Sequence, residues 1–126
     1  MKLRHLASAP TRDDELVRLF DFGSEESNLL VASITQWLRD TSTPLELAEL
    51  PFISAVNCSL RLVVVTQDEG IHEVSPGAYD CRLTLDSFGQ MLELMGPFRR
   101  DGTSGFQWLY DLDTPIEFLF SPNGSW

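Results

Sequence analysis

The spacing of apolar residues changes after Pro51, and this change limits the folds open to the chain. Before Pro51 apolar residues recur about every 3.6 residues, which is the period of a helix, whereas afterwards most of them alternate with a period of about 2, as in strands. Helices followed by strands are typical of the α+β class. A length of 126 residues suits a single core. The sequence therefore predicts one α+β domain over residues 1–126.

Three helices are predicted in the first part of the chain. The first begins at the capping pair Thr11 and Asp14 and ends near Gly23, and its apolar residues are Leu16, Val17 and Phe20. The second begins at Ser24, and its apolar stripe consists of Leu30, Ile34, Trp37 and Leu38. The third begins at the segment TPLE, Thr43 to Glu46, and Pro51 bounds it.

The second part predicts a mainly antiparallel sheet of about five strands with one further helix. The central strand is Cys58 to Gln67, because its apolar run suits a strand covered on both faces. The polar segment IHEV that follows predicts an edge strand. From Tyr79 to Leu85 apolar and polar residues alternate, with Asp80 on the solvated face. A helix capped by Asp86 follows, then strands around 106–110 and 116–120.

The sequence ends on a predicted turn at 121–124, followed by Trp126. Proline, asparagine and glycine occupy positions that a type I turn accepts. The chain would then reverse, and Trp126 would pack against the strand just completed.

The net charge of −10 excludes several kinds of partner. Nucleic acids and anionic membranes are bound through basic side chains, whereas this chain has nine basic residues against nineteen acidic ones. No apolar run reaches the roughly 18 residues of a membrane-spanning helix, and the first residues do not resemble a secretion signal. We expect a cytoplasmic protein that binds neither nucleic acid nor membranes.

Candidate catalytic and metal-binding residues are few. Cys58 and Cys81 alternate with apolar residues, which predicts buried free thiols, and their spacing to the two histidines supports no nucleophile and base pair. Asp111 and Asp113 resemble the start of a metal-binding loop with oxygen ligands, yet the glycine and distal glutamate of such a loop are missing. The sequence predicts no enzyme, no metal and no cofactor.

Two groups of acidic residues lie in predicted turns and edges, where carboxylates are exposed. The candidates for partner binding are Asp68, Glu69, Glu73, Asp111 and Asp113. Such a surface can simply keep a protein soluble. It can also accelerate association with a basic protein. Both interpretations remain open from the sequence.

Small size, acidity and the ending LFSPNGSW, Leu119 to Trp126, resemble the small acidic immunity proteins of bacterial contact-dependent or polymorphic toxin systems. The resemblance implies a protein that binds and neutralises a cognate toxin, such as a nuclease, and it assigns no role to any residue. The alternative is a regulatory or adaptor domain that acts through homodimerisation or sheet-edge pairing. A third possibility is an enzyme or small-ligand-binding protein with a pocket lined by His72 or the cysteines.

Overall fold

The computed structural model describes residues 1–8 and 15–124, in which nine strands and two α-helices form. The strands are β1 (Lys2–Leu6), β2 (Glu15–Phe20), β3 (Leu45–Glu46), β4 (Ser54–Ala55), β5 (Ser59–Val64), β6 (Gly70–Ser75), β7 (Ala78–Leu83), β8 (Gln107–Trp108) and β9 (Ile116–Ser121). The helices are α1 (Ser24–Trp37) and α2 (Leu85–Met95), with short 3-10 helices at Leu47–Glu49 and Gly96–Arg99. The predicted α+β class is confirmed.

The strands form two sheets rather than the single sheet predicted. One has the order β4-β1-β2-β9-β8 and the other β3-β5-β7-β6. Both are mixed, because β2 runs parallel to β9 and β5 runs parallel to β7. The prediction of a mainly antiparallel sheet is therefore wrong, because β2 and β5 each also pair in parallel with a strand that does not directly follow them in the chain.

The first predicted helix is wrong, because residues 15–20 form strand β2 between β1 and β9. Leu16, Val17 and Leu19 are all buried, so both faces of this strand are covered. A strand covered on both faces lacks simple alternation, and its apolar residues can then imitate helical spacing. The capping pair Thr11 and Asp14 lies outside the described residues.

The other predicted helices differ in outcome. Helix α1 begins at Ser24 as predicted. The segment predicted as a third helix is instead strand β3 followed by a 3-10 turn, with the Glu46 carboxylate accepting a hydrogen bond from the Ala48 backbone at 3.2 Å. Helix α2 forms as predicted, but its N-cap is Thr84 rather than Asp86. The Thr84 hydroxyl accepts a hydrogen bond from the Ser87 backbone at 3.2 Å.

In the second sheet, β5 is an interior strand and β6 an edge strand, as predicted. The solvated face predicted for β7 is wrong at Asp80, which is only 3% exposed. Arg61 on β5 donates to both carboxylate oxygens of Asp80, at 2.8 and 2.9 Å. The parallel register places these two residues side by side, so the arginine covers the acid.

Buried residues of both sheets and both helices form one hydrophobic core. The helices meet where the ring of Trp37 packs edge-on against Phe88, with centroids 5.2 Å apart. At the end of the chain the Gly124 N–H donates to the Ser121 carbonyl at 3.1 Å, which confirms the predicted turn. The predicted packing of Trp126 lies outside the described residues.

Candidate partner-binding cleft

A cleft of about 650 Å³ opens between helix α2, the turn joining β5 to β6, and the segment around β8. Its lining residues are Asp68, Leu83, Ser87, Gln90, Leu94, Gln107, Trp108, Leu109, Tyr110, Asp111, Leu112 and Glu117. Three of these residues are acidic, and within the described ranges none is Lys or Arg. The cleft is therefore acidic and partly apolar.

We define the turn side as Asp68, which lines the cleft, together with Glu69 and Glu73, which lie near it in sequence. Each of these three carboxylates contacts another residue of the same chain. The Asp68 carboxylate accepts hydrogen bonds from the Thr84 backbone at 2.8 Å and the Ser87 hydroxyl at 2.7 Å. Both bonds lower the pKa of Asp68, and the bond from the Thr84 backbone has the larger effect. Because both partners lie at the start of α2, Asp68 fastens the turn to this helix.

The other two carboxylates of the turn side do not line the cleft. Glu69 lies 3.5 Å from a guanidinium nitrogen of Arg82. Glu73 accepts a hydrogen bond from the Gly77 backbone at 3.3 Å. Both acids are exposed, and each contacts a neighbouring part of the second sheet.

The loop side of the cleft, which we define as Asp111 and Asp113, follows β8. Both residues are exposed, and Asp111 lines the cleft. Among the interactions of residues 1–8 and 15–124, neither side chain has a hydrogen bond or an ion pair. These two carboxylates therefore remain accessible to another molecule.

Tyr110 holds the loop side in place. Its hydroxyl accepts a hydrogen bond from the Ile71 backbone at 3.1 Å and donates one to the Ile116 carbonyl. Burial raises the pKa of Tyr110, so the hydroxyl stays protonated and can donate. One side chain thus connects the loop to both β6 and β9.

Gly70 lies where the loop approaches the start of β6. Its φ of +77° is in the left-handed region that favours glycine. A Cβ at this position would lie 3.1 Å from the Thr114 hydroxyl oxygen and 3.2 Å from that of Tyr110. The loop can pack this closely because residue 70 has no side chain.

Two aromatic residues precede the loop side in the chain, one of them on β8 at the edge of the first sheet. Trp108 lines the cleft and is half-buried. The ring of Phe106, which is 44% exposed, packs edge-on against it, with centroids 5.9 Å apart and planes at 73°. The cleft therefore combines carboxylates with an indole ring whose neighbour restrains it.

The structure brings together two of the five predicted partner-binding residues. Asp68 and Asp111 line one cleft, whereas Glu69, Glu73 and Asp113 lie outside its lining. The predicted set omitted Glu117 and Trp108. The signal for Glu117 was alternation, since it is the polar residue between buried Ile116 and Phe118 on β9.

None of the residues weighed for catalysis is among those that line the cleft. Cys58 and Cys81 are buried free thiols, as predicted, and burial raises the pKa of Cys58 to about 11. The ring of His5 stacks on Tyr79 at 5.0 Å, and its Nε2 lies 2.9 Å from a Glu15 carboxylate oxygen. His72 is exposed on β6, where its Nε2 donates to the Glu69 carbonyl at 2.9 Å.

Within residues 1–8 and 15–124, no three His, Cys, Asp or Glu side chains are grouped as metal ligands. Neither helix described there is long and apolar enough to span a bilayer. No family model, curated protein or solved structure matches the chain.

Proposed function

We propose that this protein is a cytoplasmic immunity protein that neutralises a cognate toxin domain by binding its basic surface. The observation that carries the proposal is the cleft, in which carboxylates from the β5–β6 turn and from the stretch 107–117 line one cavity. Among the lining residues that the structure describes, none is lysine or arginine. Asp68, Asp111 and Glu117 are these carboxylates. A cavity of this charge is complementary to a cationic group of another protein.

The toxin domain that fits this chemistry is one that handles nucleic acid. A nuclease presents Lys and Arg to phosphate groups, so its substrate-binding surface is positive. A protein of net charge −10 is attracted to such a surface over a long range, which raises the association rate. Occupying the surface excludes the substrate and blocks the toxin.

The apolar part of the cleft supports a protein partner. Strong protein interfaces depend on a few buried aromatic or arginine contacts at their centre, surrounded by polar residues. Trp108 lines the cleft together with Asp111, and the exposed Phe106 packs against Trp108. The cleft thus offers both apolar contact area and charge to a partner.

The proposal is tested by titrating the protein against the product of the adjacent gene at low and high salt. The association rate should fall as salt rises, because salt screens the attraction between opposite charges. The double variant Asp111→Asn, Asp113→Asn should associate more slowly than wild type. Its matched control is Glu25→Gln, Glu49→Gln, which removes two exposed charges that belong to neither the turn side nor the loop side.

The control double variant should keep most of the wild-type association rate. Equal slowing by both double variants would mean that net charge rather than the cleft governs association. Unchanged association in the variant with all five predicted acids neutralised, or the lack of any basic partner, would refute the proposal. The acidic surface would then serve solubility alone.

Homodimerisation through a sheet edge is the alternative proposal, and strand β6 provides the edge. Val74 on this strand is 46% exposed, which favours pairing with a second chain. The register of β6 against β7 shifts between Glu73 and Ser75, and the edge exposes His72 and Glu73. Irregularity and charge are features that oppose edge pairing. Sedimentation of wild type and Val74→Lys distinguishes the proposals, because a dimer lost in the variant would favour the adaptor.

A further inference from the structure

We propose that the group this cleft binds is an arginine side chain of the partner, stacked on Trp108 beside the carboxylates of Asp111 and Glu117. This inference rests on the proposed function and names the chemistry that the cleft recognises. Its basis is a cavity of about 650 Å³ that an indole ring and carboxylates line together.

The combination of ring and carboxylates favours arginine over lysine. The guanidinium group is flat, so it stacks on an aromatic face while its five N–H groups form hydrogen bonds to carboxylates around it. The lysine ammonium is compact and strongly hydrated, so it gains less from the indole. A lining with both features therefore discriminates between two side chains of equal charge.

The protein itself contains the same kind of stacking. The guanidinium carbon of Arg18 lies 4.2 Å from the centroid of the Phe20 ring, and that of Arg4 lies 5.1 Å from it. Arg4 on β1 and Arg18 on β2 are partners across these two paired strands of the first sheet. A guanidinium over an aromatic ring is thus compatible with half-exposed sites of this fold.

The cleft is larger than one side chain, and its polar lining suits an extended segment of a protein chain. Gln90 lines the cleft and is exposed, so its amide can bond a peptide backbone. The Gln107 amide donates to the Trp108 carbonyl at 3.0 Å, which fixes its orientation beside the ring. The occupant is therefore an arginine within a short basic segment rather than a free amino acid.

The inference is tested by NMR titration with three blocked tripeptides, Gly-Arg-Gly, Gly-Lys-Gly and Gly-citrulline-Gly, and with free arginine. The arginine peptide should shift the Trp108 indole resonance and amides of 107–112 and α2. It should bind about two- to fivefold more tightly than the lysine peptide, which is the range that a partly exposed cation–π contact provides. The uncharged citrulline peptide should not bind measurably, and free arginine should bind more weakly than the peptide.

Substitutions at residue 108 separate stacking from charge. Trp108→Leu should bring the arginine and lysine peptides to equal affinity, whereas Trp108→Phe should keep the preference. Leu29→Ala, which shortens an exposed apolar residue on α1, is the control and should leave the preference unchanged. Amide spectra of each variant establish that it is folded before the titration.

Equal affinity of wild type for both charged peptides, or resonance shifts outside the cleft, would overturn the inference. These outcomes are distinct from failure of the proposed function. A basic toxin that binds equally well to wild type and Trp108→Leu would leave the immunity function standing and remove the arginine contact. Peptide selectivity without any basic protein partner would do the reverse.

Discussion

On the turn side of the cleft, each of the three carboxylates contacts its own chain, whereas on the loop side neither does within the described residues. The difference is clearest between Asp68 and Asp111, which line the same cavity. Asp68 uses both oxygens to fasten the β5–β6 turn to α2. Asp111 is exposed and has no such bond.

This difference shows that two carboxylates lining the same cleft can have different roles, one in stability and the other at an accessible surface. A carboxylate that accepts hydrogen bonds from the backbone and a hydroxyl already stabilises the fold, so its removal should lower stability. An exposed carboxylate without such bonds contributes little to stability but adds to the field that a partner meets. The two sides should therefore respond differently to the same substitution.

The largest expected effect is at Gly70, where the two sides of the cleft meet. We expect Gly70→Ala to lower the free energy of unfolding by about 2 to 3 kcal/mol, because the left-handed conformation costs a residue with a Cβ about 1 to 2 kcal/mol and the new methyl group crowds Tyr110 and Thr114. Urea denaturation measures the change. Gly89→Ala, where a Cβ would meet nothing within 4 Å, is the control. A stable Gly70→Ala would show that the loop does not pack closely.

Tyr110→Phe should have the next largest effect. The substitution keeps the ring but leaves the Ile71 N–H without the Tyr110 hydroxyl, and a buried donor that loses its partner costs about 1 to 3 kcal/mol. The Ile116 carbonyl keeps a bond from the Thr114 hydroxyl at 3.3 Å, so the expected loss lies at the lower end of that range. Hydrogen exchange of the Ile71 amide should also accelerate, and unchanged exchange there would contradict the proposed anchoring.

The sequence predicted elements whose evidence is local and failed where distant strands decide the structure. Helix α2 has a cap, regular apolar spacing and a glycine end, and it forms as these signals indicate. The segment of strand β2 also has a predicted capping pair, apolar residues at helical spacing and a following glycine, yet it is not a helix. It is a strand because it lies between β1 and β9, and β9 comes from the opposite end of the chain. Local spacing cannot reveal a partner so distant in sequence.

The sequence identified the kind of residue at the candidate site, namely exposed acids, but it identified only some of the residues that line the cleft. Exposed acids at turns could be named from turn signals, and Asp68 and Asp111 were. Their meeting in one cleft depends on how the two sheets pack around α2, which no local pattern encodes. The hydrogen bonds that occupy Asp68 depend on the same packing, so the sequence could not separate its role from that of Asp111.

Asp68→Asn should lower stability by about 1 kcal/mol at neutral pH, because it weakens two hydrogen bonds to a charged acceptor that solvent partly screens. The pKa of Asp68 is lowered in the folded state, so its contribution is full above the unfolded value of about 3.9 and is lost as pH falls through the folded value. The stability difference between wild type and variant should therefore close in acid. A difference that is constant from neutral pH to below about pH 3 would contradict this assignment.

Asp111→Asn should have the smallest effect on stability and thereby sharpen the comparison. Since Asp111 has no bond to break within the described residues, the free energy of unfolding should change by less than about 0.5 kcal/mol. The association rate with a basic partner should nevertheless fall about two- to threefold at low salt, because the partner loses one charge of the attracting field at the cleft. Asp68→Asn removes the same charge from the same cavity, so the pair compares equal losses of charge. If Asp111→Asn destabilised the protein as much as Asp68→Asn, the distinction between the turn side and the loop side would be wrong.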